Sequence, residues 1–351
     1  MNSFYNRCLI FFRSKRFYTL AVLLLIITGA RLFIFSITDK EDDKNYQRYF
    51  QDNYKIFSIT VPENLNFAGE PVPLHDFDFH ERMDRELTVN TYWQSNTSFF
   101  HKRAHRWFPV IEPILKKNGI PDDFKYLALI ESGLTNIVSP AGATGFWQLM
   151  EEPAKKYGLQ IDKEVDERYN VEKSTEAACK YLHEAYSIFG NWTMAAASYN
   201  MGMNGAQRQL EKQKVNNYYD LLLGEETSRY VFRILAAKCI MEHPQDYGFY
   251  LRKKDLYPPF KTYEVSLDTA VADFTDYAIA NKVNYKILKM FNPWLRQSFL
   301  TNKERKKYTI KLPVEGYTDF EKLLKSDEGR AIDTVYKISI PADTIPAINN
   351  R

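Results

Sequence analysis

Three kinds of apolar patterning follow one another along the chain: an apolar run near the start, a long middle with helical periodicity, and a shorter tail with strand-like stretches. Arg7, Arg13, Lys15 and Arg16 precede the run from Phe17 to Ala30; Arg31 interrupts it and Leu32 to Ile37 resumes it. Counted to Ile37, the run meets the roughly 20 residues that a membrane helix needs, with its basic residues on the cytoplasmic side. This predicts an N-terminal membrane anchor or signal segment over residues 1–40. Cleavage as a signal peptide is the alternative, because Thr28-Gly29-Ala30 offers a small-residue cleavage site. No cysteine stands directly after the run, which argues against lipoprotein processing. Over residues 41–78, the polar stretch Asp39 to Gln51 reads as a tether, and the proline-punctuated stretch Val61 to Asp78 as an extended wrap.

From residue 79 the period becomes helical. Helices are predicted over Glu81 to Tyr92, Thr97 to Asn118 and Pro121 to Ser132, with Gly119-Ile120 as a tight connection. A short helix follows at Pro153 to Tyr157. Another runs from Ser174 to Phe189, with Ser174 at its N-cap and Ala177, Ala178, Tyr181, Leu182 and Tyr186 as its apolar face. Trp192 to Tyr199 is small and apolar and breaks at Asn200-Met201-Gly202, and a last helix from Ser228 to Glu242 is ended by His243-Pro244. Beyond Tyr257-Pro258-Pro259, strands at Thr262 to Leu267 and Tyr308 to Leu312 enclose a helical middle from Val271 to Phe291, with a further strand at Val335 to Ile340. A domain boundary at Lys254 to Phe260 therefore separates residues 79–254 from residues 261–351.

Within the helical part, one carboxylate has a chemically suggestive setting. Phe124, Tyr126, Leu127, Ala128, Leu129 and Ile130 are apolar nearly all round, the pattern of a buried helix, and Glu131 comes at its end before Ser132-Gly133. Pro121 followed by Asp122 and Asp123 suits the helix start. Scarce water disfavours an ionised carboxylate, so the pKa of Glu131 should rise and the group can hold a proton near neutral pH. The small-residue loop Ser139 to Gly145 and then Phe146-Trp147-Gln148 suit a sugar cleft, with rings for pyranose faces and an amide for hydroxyl or N-acetyl groups. The same residues also describe a buried helix with a partnered glutamate, followed by a turn whose Trp147 is core.

Composition narrows the class. A chain of 351 residues, 45% hydrophobic and 15% aromatic, can bury a core and form more than one domain. A net charge of +3 with scattered basic residues gives no nucleic-acid signature. Cys8, Cys179 and Cys239 have no metal-ligand spacing, and the last two fall in predicted helices as buried thiols, with a disulfide as the alternative that an oxidising compartment permits. His101 and His105 are four apart but sit among Lys102, Arg103 and Arg106 without the carboxylate of a metalloprotease helix.

Three blocks in order resemble lytic murein transglycosylases with a goose-lysozyme-like catalytic domain, most nearly the membrane-bound D type. They are LALIESG with Glu131-Ser132, SPAGATGFWQLM with Gly145, Gln148 and Met150, and AASYNMG with Tyr199, Asn200 and Gly202. VDERYNVEKSTEAACKYL and ETSRYVFRILAAKCI resemble the intervening stretch and the closing helix. The resemblance implies a mainly α fold: a lysozyme-like helical domain over 79–254 and a small α/β module over 261–351. It implies cleavage of the β-1,4 bond between N-acetylmuramic acid and N-acetylglucosamine with a 1,6-anhydro end, and neither metal nor cofactor. Glu131 would be acid and then base, Ser132 would bond the substrate, and Gly145, Gln148 and Met150 would line the sugar subsites. Tyr199 would hold Glu131 or the developing charge in place with its hydroxyl, and Asn200 would shape the turn or touch substrate. The implied partners are peptidoglycan strands and the membrane, on the periplasmic face of the inner membrane or exported after cleavage.

The tail resembles a single degenerate LysM repeat, with Phe274 to Ala280, Ile287 to Pro293 and Tyr308 to Pro313 in the expected order. Its insert Trp294 to Lys307 is long and basic, and the glycines expected before the last strand are missing. Two rival functions stay open. A hydrolytic muramidase on the same fold would need a second carboxylate, with Glu151 as candidate. A non-catalytic wall-binding scaffold would have no reason to keep a buried acid.

Overall fold

The computed structural model describes residues 22, 23, 26, 28, 43–52, 56–316 and 319–328. The expected anchor lies outside these residues except at Val22, Leu23, Ile26 and Thr28, which are helical, and the expected strand at Val335 to Ile340 lies outside them altogether. Among the described residues, no helix is long and apolar enough to cross a membrane. The chain divides into two units, Met1–Ser58 and Ile59–Arg351. In the first, residues 43–52 are helical.

The second unit opens with a small hairpin in place of an uninterrupted extended wrap. Strands β1 (Asn66–Phe67) and β2 (Glu70–Pro71) pair antiparallel around Ala68 and Gly69. The Glu70 carboxylate accepts from the Thr193 backbone N–H at 2.9 Å and from its hydroxyl at 2.6 Å, so the hairpin caps a distant helix start. Helix α1 (Phe77–Tyr92) begins where the Asp76 side chain accepts from Asp78 N–H. Helix α2 (Gln94–Lys117) carries Pro109 and Pro113 inside it and ends on Lys116 and Lys117, whose charges suit the C-terminal dipole.

Helix α3 (Phe124–Ser132) is the central element, with only Lys125 and Glu131 escaping full burial. It starts three residues later than Pro121-Asp122-Asp123 suggests. The Asp123 carboxylate accepts from Ala68 N–H and from Lys238 Nζ, both at 2.7 Å, and so ties the helix entrance to the hairpin and to the last helix of the domain. Around α3 pack α4 (Glu151–Lys156), α5 (Val171–Phe189), α6 (Trp192–Met201), α7 (Met203–Gln213) and α8 (Glu225–Glu242). The cap of α5 is Asn170, which accepts from Lys173 N–H at 3.0 Å. Ser174 lies inside the helix, with its hydroxyl turned back to Val171 O. Cys179 and Cys239 are buried free thiols.

The C-terminal module has its own core. Strands β3 (Thr262–Leu267) and β4 (Tyr308–Pro313) are antiparallel, with Thr262 opposite Pro313 and Leu267 opposite Tyr308. The helical middle is two helices, α9 (Phe274–Ala280) and α10 (Tyr285–Phe291), capped by Asp273 and Asn284. A further helix, α11 (Phe320–Glu328), follows β4. Leu267, Phe274, Leu288, Trp294, Ile310 and Leu312 are buried together, and Val165 from the helical domain joins them.

Candidate active site

Glu131 is the penultimate residue of α3, and the helix stops where Gly133 takes a φ of +59° and returns its N–H to Leu129 O at 2.8 Å. Arg103 Nη1 donates to Gly133 O at 3.1 Å and fixes the exit. From α8, the Tyr230 hydroxyl donates to Glu131 Oε1, and Arg233, three residues on, donates to Ile130 O at 3.2 Å. Burial pushes the Glu131 carboxyl above the ordinary range; the Tyr230 bond and the Arg233 charge pull it back, and Glu226 pushes it further up. The result is an acid that holds its proton more tightly than an exposed glutamate, with a donor ready for the carboxylate that remains after proton transfer.

Tyr230 therefore occupies the place expected of Tyr199, which is a correction to the sequence reading. The Tyr199 hydroxyl donates to Trp147 O at 2.7 Å and supports the loop, not the acid. Burial, and after it the neighbouring Glu131 charge, hold its phenol well above the ordinary range. A signal for Tyr230 was present in ETSRYVFRILAAKCI: Tyr230 and Arg233 are three apart, hence neighbours on one face of a helix that is otherwise largely apolar there.

The other residues of the blocks build the loop. Ser132 is buried and donates to Phe146 O at 2.8 Å, so its proton is committed to the loop backbone and not to a substrate. Trp147 is fully buried, with Nε1 on Thr175 Oγ1 at 2.8 Å, so it is core and no sugar platform. Thr144 pairs with both Val138 and Leu149, and Gln148, at φ +45°, donates to Gly145 O at 2.8 Å and to Ile137 O at 3.1 Å. Met150 is 44% exposed at the end of this loop. Asn200 donates to Glu226 Oε1 at 3.2 Å and accepts from Thr227 Oγ1 at 2.7 Å, which links the end of α6 to the first turn of α8.

The loop rests on a buried arginine. Arg168 meets Asp166 through Nε at 3.0 Å and Nη2 at 2.7 Å, and its Nη1 reaches Gly142 O at 3.2 Å and Leu149 O at 3.3 Å. Its carbonyl lies where Gly145 leaves room: a β-carbon at Gly145, φ +81°, would stand 2.1 Å from Arg168 O. Asp166 also caps the 3-10 turn Glu167–Tyr169, its side chain accepting from Arg168 N–H. Glu151 is paired with Lys155 at 2.6 Å, which holds its carboxyl below the ordinary range. It is a solvated partner in α4 and not a second acid.

Comparison with known proteins finds two family models that match parts of the chain. Residues 108–222 match the transglycosylase SLT domain, and residues 263–316 match the soluble lytic transglycosylase C-terminal LysM-like domain. Membrane-bound lytic murein transglycosylase D of Escherichia coli is 27% identical over 226 residues, 62% of this chain and 49% of that protein. An Alteromonas protein named as a candidate for tributyltin chloride resistance is 31% identical over 152 residues, 41% of this chain and 72% of that protein. The chain thus spans about half the length of its Escherichia coli relative. A solved structure of an inactive mutant of lytic transglycosylase Slt from Pseudomonas aeruginosa aligns with 40% of this chain and 24% of its own, at 21% identity and a TM-score of 0.34.

Proposed function

Since this chain belongs to the transglycosylase SLT domain family, we propose that it cleaves peptidoglycan strands between N-acetylmuramic acid and N-acetylglucosamine and leaves a 1,6-anhydromuramyl end. The observation that carries this reading is Glu131, whose carboxyl is pushed up by burial while the Tyr230 hydroxyl donates to one of its oxygens. A protonated Glu131 gives its proton to the glycosidic oxygen as that bond breaks. The carboxylate then takes the proton of the sugar's own 6-hydroxyl, whose oxygen closes on the anomeric carbon. The nucleophile is intramolecular, so neither a second carboxylate nor a placed water is required. Tyr230 and Arg233 favour the carboxylate and burial favours the acid, so the group can serve in both forms during one turnover.

In this reading Glu131 is the catalytic residue. Gly145, Gln148 and Met150 shape the wall against which the sugar lies, with Ser132, Tyr199 and Asn200 holding that wall in place. The chain would work at the cell envelope, on the periplasmic side of the inner membrane and held by its N-terminal segment. The membrane-bound name of the relative and the basic-then-apolar order of residues 7–37 support this. Mass analysis of digested sacculi tests the chemistry, since the anhydro product lacks one water relative to a hydrolysed one. Glu131→Gln, which keeps shape but cannot titrate, should lower the rate by at least about a hundredfold. Hydrolysed ends from the wild type, or a variant retaining a tenth of its rate, would refute the assignment.

A further inference from the structure

The C-terminal module is joined to the helical domain by more than its linker. Asp166 N–H donates to Trp294 O at 2.9 Å and Arg296 N–H to Glu164 O at 2.7 Å, so the strip 164–166 pairs with the insert 294–296 as a short antiparallel ladder. Val165, 1% exposed, places its side chain in the module's core. The Glu164 carboxylate accepts from Thr301 N–H at 2.7 Å, the Arg296 guanidinium lies 4.0 Å over the Tyr169 ring, and Lys311 pairs with Glu172 at the start of α5. The insert that departs most from a LysM pattern is therefore the docking segment.

At the end of this ladder, Asp166 grips Arg168, and Arg168 in turn holds the loop at Gly142 and Leu149. We propose that the module acts as a fixed buttress of the active-site loop, with Arg168 the positioning residue through which its docking sets the place of Gly145 and Gln148. The backbone of 164–168 is pinned on one side by the module and presses on Gly145 from the other, so a module that swings away frees the carbonyl that Gly145 packs against. The catalytic consequence rests on the proposed transglycosylase reading; the mechanical one does not.

The test uses the full chain and the variants Val165→Asp, Arg168→Lys, and the charge reversals Glu172→Lys and Lys311→Glu, singly and together. Amide hydrogen exchange is followed in residues 139–150, with α6 as internal reference. Val165→Asp puts an unpaired charge in the module's core, and it and Arg168→Lys should each speed exchange in the loop while α6 keeps its protection. On a soluble muramyl-glucosaminyl tetrasaccharide, kcat/KM should fall about tenfold to a hundredfold in both. Each single reversal should lower it several-fold and the double reversal restore it, which separates positioning from general damage if Val165→Asp fails to fold. Unchanged loop exchange in Arg168→Lys and in the single reversals would overturn the proposal, whatever the substrate assays give. So would loss of sacculus adsorption in the single reversals with tetrasaccharide turnover untouched. A wild type that cleaves neither substrate refutes the functional reading alone, because the exchange result is read independently.

Discussion

Replacing Gly145 with alanine should damage the site out of proportion to the methyl group added. Gly145 has φ +81°, and left-handed backbone costs a residue with a β-carbon about 1–2 kcal/mol. The added carbon would stand 2.1 Å from Arg168 O, a backbone atom that cannot rotate away, and overpacking of this kind adds about 1–3 kcal/mol. The loop must retreat by at least about 1.3 Å to recover ordinary contact, and a misplacement of about 1 Å already costs on the order of a hundredfold where reacting groups are concerned. Gly142→Ala is the control, because its φ is +88° but nothing lies within 4 Å of its β-carbon. Urea unfolding should show a loss of about 2–5 kcal/mol for Gly145→Ala against about 1–2 for Gly142→Ala. Cleavage of glycan strands should fall steeply only in the first. Equal destabilisation of the two, or a wild-type rate in Gly145→Ala, would refute the contact with Arg168 as the reason for glycine here.

Two further predictions follow from titrating groups. Tyr230→Phe removes the hydrogen bond that lowers the Glu131 pKa, so the carboxyl should rise further and the alkaline limb of the pH–rate profile move to higher pH. Tyr199→Phe should lower the rate through the loop without moving that limb, and a limb unmoved in Tyr230→Phe would remove Tyr230 from control of the acid. His101 is buried beside Phe249, and burial lowers its pKa to about 4. The unfolded chain takes up its proton first, so this histidine's contribution is intact above pH 6.5 and drains away as pH falls towards 4, by on the order of 3 kcal/mol. The stability difference between wild type and His101→Gln should shrink across that interval in denaturant titrations; a constant difference would contradict a neutral buried imidazole.

The sequence made the helices and the acid legible because each depended on local chemistry. The apolar surround of Glu131 foretold burial, and the strand boundaries at Thr262 to Leu267 coincide with the observed β3. The errors arise where a side chain has a distant partner. Asp123 looks like a helix-start acid but is drawn to Lys238 and Ala68, which shortens α3. Ser174 looks like a cap, yet Asn170 four residues earlier has the extended backbone that capping needs. Tyr199 and Tyr230 are both tyrosines on apolar helices, and only the packing of α6 and α8 decides which hydroxyl reaches Glu131. Nothing in the basic insert Trp294 to Lys307 announced that its backbone would pair with the strip at Val165.

The acid and its donor are 99 positions apart, and the donor belongs to the last helix of the domain. Residues 108–222 alone, the stretch that matches the SLT domain, would hold Glu131 without Tyr230 or Arg233. Such a piece contains the reactive group but neither of the two residues that ease its ionisation. During synthesis the same order applies: the chain has to be complete through α8, and that helix seated on α3, before Tyr230 and Arg233 stand beside the carboxyl. A nascent or truncated copy therefore carries the carboxyl without the two groups that favour its ionised form.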